Sequence, residues 1–173
     1  MSENSVYKIF NSPIGQLVGI GDKDGIELLE FLSDNKSPLD SKEYESVIEG
    51  RNAILDQLEL ELAHYFNGTL QNFTIPTTPK GTTFQKSVWK ALLDVQYGIT
   101  KTYKEQTDVL GDPKAIRAVA NANGKNRIAI VIPCHRIIGS NGNLTGYAGG
   151  IERKRFLLDL ERKLAGPKDL FNL

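Results

Sequence analysis

The sequence predicts an α+β protein: a small antiparallel sheet and one long helix first, then a mostly helical half containing a helix-turn-helix. Three observations predict this. Three short apolar-rich runs separated by turn residues fill the first 32 positions. One apolar stripe at three-to-four-residue spacing follows them. After residue 80, capping residues mark successive helix starts.

The predicted strands are Ser5–Phe10, Leu17–Ile20 and Ile26–Leu32. Asn11-Ser12-Pro13 with Gly15, and then Gly21–Gly25, supply the turns between them. Short connections of this kind favour antiparallel pairing. The stripe Val47, Ile54, Leu58, Leu62 and Tyr65 predicts a helix over Tyr44–Phe66, with Asn67-Gly68 as its stop. Thr74–Gly81, with Pro76, Pro79 and three threonines, reads as a linker. The expected domains are therefore 1–79 and 80–173.

In the second half, Thr82 with Gln85 forms a capping box ahead of Val88, Trp89, Leu92 and Leu93. Thr102 with Glu105 forms another before Thr107–Leu110. Asp112-Pro113 caps and opens a helix through about Asn121, and Gly111 makes the tight connection between these last two helices. Ile128–Ile132 reads as a buried extended run. Gly139–Gly150, with five glycines, Asn141 and Asn143, is a loop with unusual backbone angles. A last helix over Glu152–Leu164 is expected to stop at Gly166-Pro167.

The balanced total of 21 basic and 21 acidic residues conceals a division. Residues 1–79 hold five Lys/Arg against thirteen Asp/Glu, a net −8; residues 80–163 hold fifteen against seven, a net +8. A polyanion is the natural partner of the second half alone. The longest apolar run, near Ile128–Pro133, is too short to span a bilayer, so no membrane partner is expected. Met1–Tyr7 has neither the basic nor the apolar region of a signal peptide. A single cysteine excludes an internal disulfide and fits a reducing, cytoplasmic setting, or a nuclear one in a eukaryote.

That cysteine carries the chemistry. Cys134 stands in Ile132-Pro133-Cys134-His135-Arg136, just ahead of the glycine-rich loop. A lone cysteine is often a small core hydrophobe. Here imidazole and guanidinium groups adjoin it, and such neighbours favour the nucleophilic thiolate. Adjacent residues do not face each other in regular structure, so a bridging water is the natural proton path from Cys134 to His135. The other imidazole nitrogen needs an orienting acceptor. A carboxylate of the last helix could supply it, with Glu161 as the candidate and Asp159 as the alternative.

Pro133-Cys134-His135-Arg136, followed by Tyr147 and Gly149-Gly150, resembles the active-site signature of O6-alkylguanine-DNA alkyltransferases. The resemblance extends to Thr102-Tyr103, the run Asp112–Val119 and Asn126, and covers residues 82–164. It implies a winged helix-turn-helix type of second domain and, from the general layout of the first 75 residues, a first domain of RNase H-like fold.

The implied activity is single-turnover DNA repair. Cys134 takes a methyl or alkyl group from O6-alkylguanine, and O4-alkylthymine is a further substrate to consider. The damaged nucleotide is flipped out of the stack, and the thioether formed is not hydrolysed. Glu161 orients His135, which deprotonates Cys134 through water. Tyr103 donates a proton to the leaving guanine, and Asn126 ties the recognition helix to the cysteine. Arg117 enters the stack from the minor groove, without sequence preference. The other DNA-facing residues are Tyr103, Ala118, Asn121, Arg127 and Arg136; Pro133, Tyr147 and Ala148 line the substrate pocket.

Asn121 stands where the family commonly has glycine, and Arg127 where it commonly has proline; Arg127 is read as a phosphate contact. The first domain offers only His64 and no cysteine, so the zinc site of some members is not expected, nor is any cofactor. The expected state is a monomer, with cooperative binding on DNA left open. Three rivals remain: a lesion-binding protein without transfer, a transcription regulator, and a Cys-His hydrolase.

Overall fold

The computed structural model describes residues 5–33 and 37–165. Strands β1 (Val6–Phe10), β2 (Leu17–Gly21) and β3 (Ile26–Phe31) pair antiparallel in sequence order, as expected. A two-residue strand, β4 (Ile48–Glu49), adds to β1 in parallel, so the sheet runs β3-β2-β1-β4.

Every residue of β2 is buried, because both sheet faces are covered. On one face Leu17 and Leu29 join a large core with Leu55, Leu58 and Leu62 of α1 (Ala53–Phe66). On the other, Val18, Ile20 and Leu28 pack against Tyr44. This second face explains why the helix begins at Ala53 rather than at Tyr44. Tyr44 and Val47 are apolar at helical spacing, but they belong to turns that cover the far side of the sheet. Asn52 then starts the helix, its side chain accepting from the Leu55 amide at 2.8 Å and donating to the Gly21 carbonyl at 3.0 Å.

Gly19 allows α1 its close approach. A Cβ there would lie 2.7 Å from the Phe10 ring and 3.2 Å from Leu58. Gly19→Ala is therefore expected to lower stability by about 1–3 kcal/mol through overpacking. A fall in the urea midpoint checks this; an unchanged midpoint would show that the two side chains yield freely.

The second half contains α2 (Thr83–Leu93), α3 (Tyr103–Val109), α4 (Ile116–Gly124) and α5 (Ile151–Leu164). Both capping boxes form: Thr82 with Gln85, and Thr102 with Glu105. Gly111, at φ +84°, turns the chain between α3 and α4. Asp112 caps a short 3-10 turn, Pro113–Ala115, and α4 follows, ending at Gly124 rather than near Asn121. The extra turn is stabilised from outside the helix. Asn123 and Gln106 of α3 exchange amide hydrogen bonds in the core, and the Trp89 indole of α2 donates to the Ala122 carbonyl at 2.8 Å. The expected stop of α5 at Gly166-Pro167 lies outside the described residues.

Two backbone junctions line the free edge of β3, the first to the linker that closes the first half and the second to the second half. Ile26 bonds with Pro76 and Thr78, and Leu29 bonds with Arg127 and Ala129. The second junction corrects the reading of Ile128–Ile132 as extended. Only Ile128 bridges to the strand. The chain then turns, with Ile130 at φ +69° and the Ile132 amide bonded to the Ile128 carbonyl at 3.0 Å. A β-branched residue with positive φ is strained by roughly 1–2 kcal/mol, and a fully buried apolar setting holds it there. The turn delivers Pro133 and Cys134 to the end of the core. Among the described residues, no helix is long and apolar enough to cross a membrane.

Candidate active site

Cys134 begins a short 3-10 turn, Cys134–Arg136, that feeds strand β6 (Ile137–Ile138). β6 pairs in parallel with β5 (Lys101–Thr102). This two-strand ladder sets Tyr103, the first residue of α3, beside the cysteine segment. The Asn126 side chain donates to the Ile132 carbonyl at 2.9 Å and to Cys134 Sγ at 3.2 Å, while its oxygen accepts from the Ile128 amide at 3.0 Å. One buried side chain thus binds the end of α4 to the sulfur.

Cys134 is 9% exposed. Burial pushes its thiol pKa up; the Asn126 hydrogen bond and the nearby Lys154 charge pull the other way without cancelling it. A neutral thiol in this setting needs a base. His135 is fully buried, and its Nε2 lies 2.8 Å from Glu161 Oε1, so Nε2–H donates to the carboxylate. The ring does not bond Cys134. Nδ1, the nitrogen left to accept a proton, has no hydrogen-bond partner among the described residues. Burial holds the imidazole pKa below its ordinary value despite Glu161.

Glu161 is the buried hub. Desolvation raises its pKa, yet hydrogen bonds and charge from His135 and Arg136 outweigh this and bring it down to about 2. His135 carries charge only when protonated, and burial disfavours that form, so Arg136 supplies the standing counter-charge near neutral pH. Arg136 Nε meets Oε2 at 2.9 Å and Nη2 meets Oε1 at 3.0 Å, and Nη1 donates to the Val95 carbonyl at 2.6 Å. Asp159, the alternative carboxylate, is 65% exposed and pairs only loosely with Arg162.

Two expected DNA contacts are corrected here. Arg136 is 5% exposed, with its guanidinium engaged by Glu161 and Val95, so it is an internal counter-ion. Arg127 pairs with Glu30 at 2.7 Å and Glu43 at 3.0 Å and lies over the Tyr44 ring, joining the halves instead of facing a phosphate. Local sequence shows a basic residue; it does not show a carboxylate folded back from 84 or 97 positions away.

A cavity of about 760 Å³ opens between α3, α4 and the glycine-rich loop. Tyr103, Arg117, Tyr147 and Ala148 line it, with Ile116 and Gly124. Cys134 is not among the lining residues, but Tyr103 and Tyr147 lie within its electrostatic reach; both phenols are raised, first by burial and also by Cys134. Arg117, Ala118 and Asn121 are exposed on α4, whereas Pro133, expected in the pocket, is buried and does not line the cavity. The Tyr103 hydroxyl donates to the Thr145 carbonyl at 3.1 Å.

Lys154 was not foreseen. It is fully buried on α5, and its ammonium donates to the carbonyls of Ile137 and Thr145, pinning the loop to β6. A signal for it existed. Lys154, Leu157, Leu158 and Glu161 share one buried face at i, i+3, i+4 and i+7, so two charges occupy core positions of the helix.

The model of the 6-O-methylguanine DNA methyltransferase DNA binding domain matches residues 83–163, and that of the ribonuclease-like domain of the same family matches residues 5–79. The chain belongs to the 6-O-methylguanine DNA methyltransferase family. The methylated-DNA–protein-cysteine methyltransferase of Methanosarcina acetivorans is 45% identical over 155 residues, spanning 90% of this chain and 97% of that relative. The Mycobacterium tuberculosis protein of the same name is 45% identical over 165 residues, 95% and 96% of the two chains. The crystal structure of Mycobacterium tuberculosis O6-methylguanine methyltransferase superposes with a TM-score of 0.84 at 41% identity, covering 95% and 97%. That of Mycobacterium tuberculosis OGT in complex with DNA superposes at 0.81, also at 41% identity, covering 91% and 93%. Both domains expected of this methyltransferase family are thus present in one chain.

Proposed function

We propose that this protein repairs alkylated DNA by moving the alkyl group of O6-alkylguanine irreversibly to Cys134. One observation carries the reading: Cys134 Sγ sits 3.2 Å from the Asn126 amide, next to a His135–Glu161 pair at 2.8 Å, and the two tyrosines whose titration its charge affects, Tyr103 and Tyr147, line a cavity together with Arg117. The relatives named for this activity support it.

The steps follow from the residues. Glu161 holds His135 with Nε2 protonated. Nδ1 takes the Cys134 proton through a water. The thiolate attacks the alkyl carbon; the carbon–O6 bond breaks and its electron pair stays on guanine. Tyr103 turns from the Thr145 carbonyl to supply a proton to the leaving base. Asn126 and Lys154 favour the thiolate as it forms. Arg117 reaches from α4 into the space left by the flipped nucleotide, from the minor groove, while the phosphates meet the positive second half. The protein is a monomer in this reading.

Incubation with a duplex containing one O6-methylguanine, followed by intact mass and peptide mapping, tests the proposal. The expected result is one methyl group per molecule, located on Cys134, with no second turnover. Tight binding without mass gain would instead identify a lesion-binding protein. Catalytic turnover would identify a hydrolase.

A further inference from the structure

The acidic first half has no part in the chemistry described so far, yet one of its side chains enters the buried hub. Tyr65, near the end of α1, is fully buried, and its hydroxyl donates to Glu161 Oε1 at 2.7 Å across 96 positions of sequence. His135 Nε2 donates to this same oxygen. The phenol is held in place by Phe66, Phe73 and Tyr97, whose ring centroids lie 5.3–5.9 Å from its own. Its placement has one polar outcome, the hydrogen bond to the carboxylate.

We propose that Tyr65 is a positioning residue of the transfer site: a hydroxyl carried by the first domain sets the acceptor strength of the Glu161 oxygen that holds His135. The inference rests on the reading of Cys134, His135 and Glu161 as the reacting set. Its physical basis is competition for one oxygen. Each strong donor to Oε1 draws negative charge from it. With Tyr65 donating, Glu161 stabilises the imidazolium less, and His135 remains a neutral base to lower pH. Without it, the oxygen turns more fully to Nε2–H and the imidazolium is favoured.

Other charges around the pair are fixed in this comparison. Arg136 and Cys134 flank His135, Lys154 rises from α5, Tyr97 approaches from the segment after α2, and Tyr147 from the loop. None of them is altered by removing a Tyr65 hydroxyl.

Tyr65→Phe keeps the ring and removes the donor. The expected result is a single-turnover rate that falls about 3- to 10-fold on the acid limb of the pH profile, because the limb moves up by roughly half to one pH unit. At alkaline pH the rate stays within about twofold of wild type. A fluorinated tyrosine at position 65 is a stronger donor and is expected to move the limb the other way. A purely structural role would reduce the rate at all pH values and would not change sign between the two substitutions.

The His135 ring-nitrogen titration, followed by NMR without DNA, should shift in the same directions. A wild-type acid limb with an unchanged His135 titration, or a uniform loss in both variants, overturns the proposal. The ring titration decides it even if the wild-type protein takes up no methyl group, an outcome that would sink only the transfer reading.

Discussion

Glu161→Gln is expected to cost about 3–5 kcal/mol of stability and at least 100-fold in the transfer rate at neutral pH. The stability loss comes from Arg136. Its guanidinium lies buried beside the carboxylate at 2.9 and 3.0 Å, and no other acidic side chain reaches it among the described residues. Glutamine keeps the volume but removes the charge and turns an amide donor towards groups that already donate: Arg136, the Gly98 amide and Tyr65. The rate loss comes from His135, which keeps a weaker partner at Nε2 and becomes a poorer base at Nδ1. Urea unfolding and single-turnover kinetics measure the two effects separately. Exposed Asp159, changed to Asn, should move stability by less than about 0.5 kcal/mol. A glutamine variant as stable and as fast as wild type would remove Glu161 from the site altogether.

The same carboxylate predicts an acid limit to stability. Its pKa is about 2 in the folded protein against an ordinary 4.5. A depressed folded value means the contribution is complete above the unfolded pKa and is lost as the pH falls from about 4.5 towards 2. The difference amounts to about 3 kcal/mol, to order of magnitude. In Glu161→Gln this segment of the stability–pH curve should flatten.

Arg117→Ala is expected to slow transfer from duplex DNA by about 30- to 100-fold while leaving transfer from free O6-alkylguanine base within about twofold. The side chain is exposed on α4 and borders the cavity, so its removal disturbs no core contact and leaves the Cys134–Asn126–His135 geometry intact. In the proposed mechanism it takes away the group that fills the stack once the base has left, against an unstacking cost of a few kcal/mol. The free base needs no flipping and serves as the control. Equal slowing on both substrates would show that Arg117 acts on the pocket and not on the duplex.

Local signals in the chain were enough to place much of the fold. The capping boxes at Thr82 and Thr102, the turn at Gly111 and the three opening strands all depend on neighbours within a few positions, and all form. The helix start at Tyr44 did not hold, because an apolar residue at helical spacing can equally serve the far face of a sheet. The local motif around Cys134 also pointed to His135 and a last-helix carboxylate, and the family resemblance pointed to Asn126.

By itself, the amino-acid order determined most of the elements, the single cysteine beside histidine and arginine, and the charge division between the halves. Only the tertiary structure decided which charges meet. It chose Glu161 over Asp159, turned Arg136 and Arg127 inward, buried Lys154, and brought the Tyr65 hydroxyl from the first domain to the same oxygen as His135. The physical reason is that a side chain's helical or turn preference is set by its near neighbours, whereas a buried charge is stable only where a distant partner compensates its lost hydration.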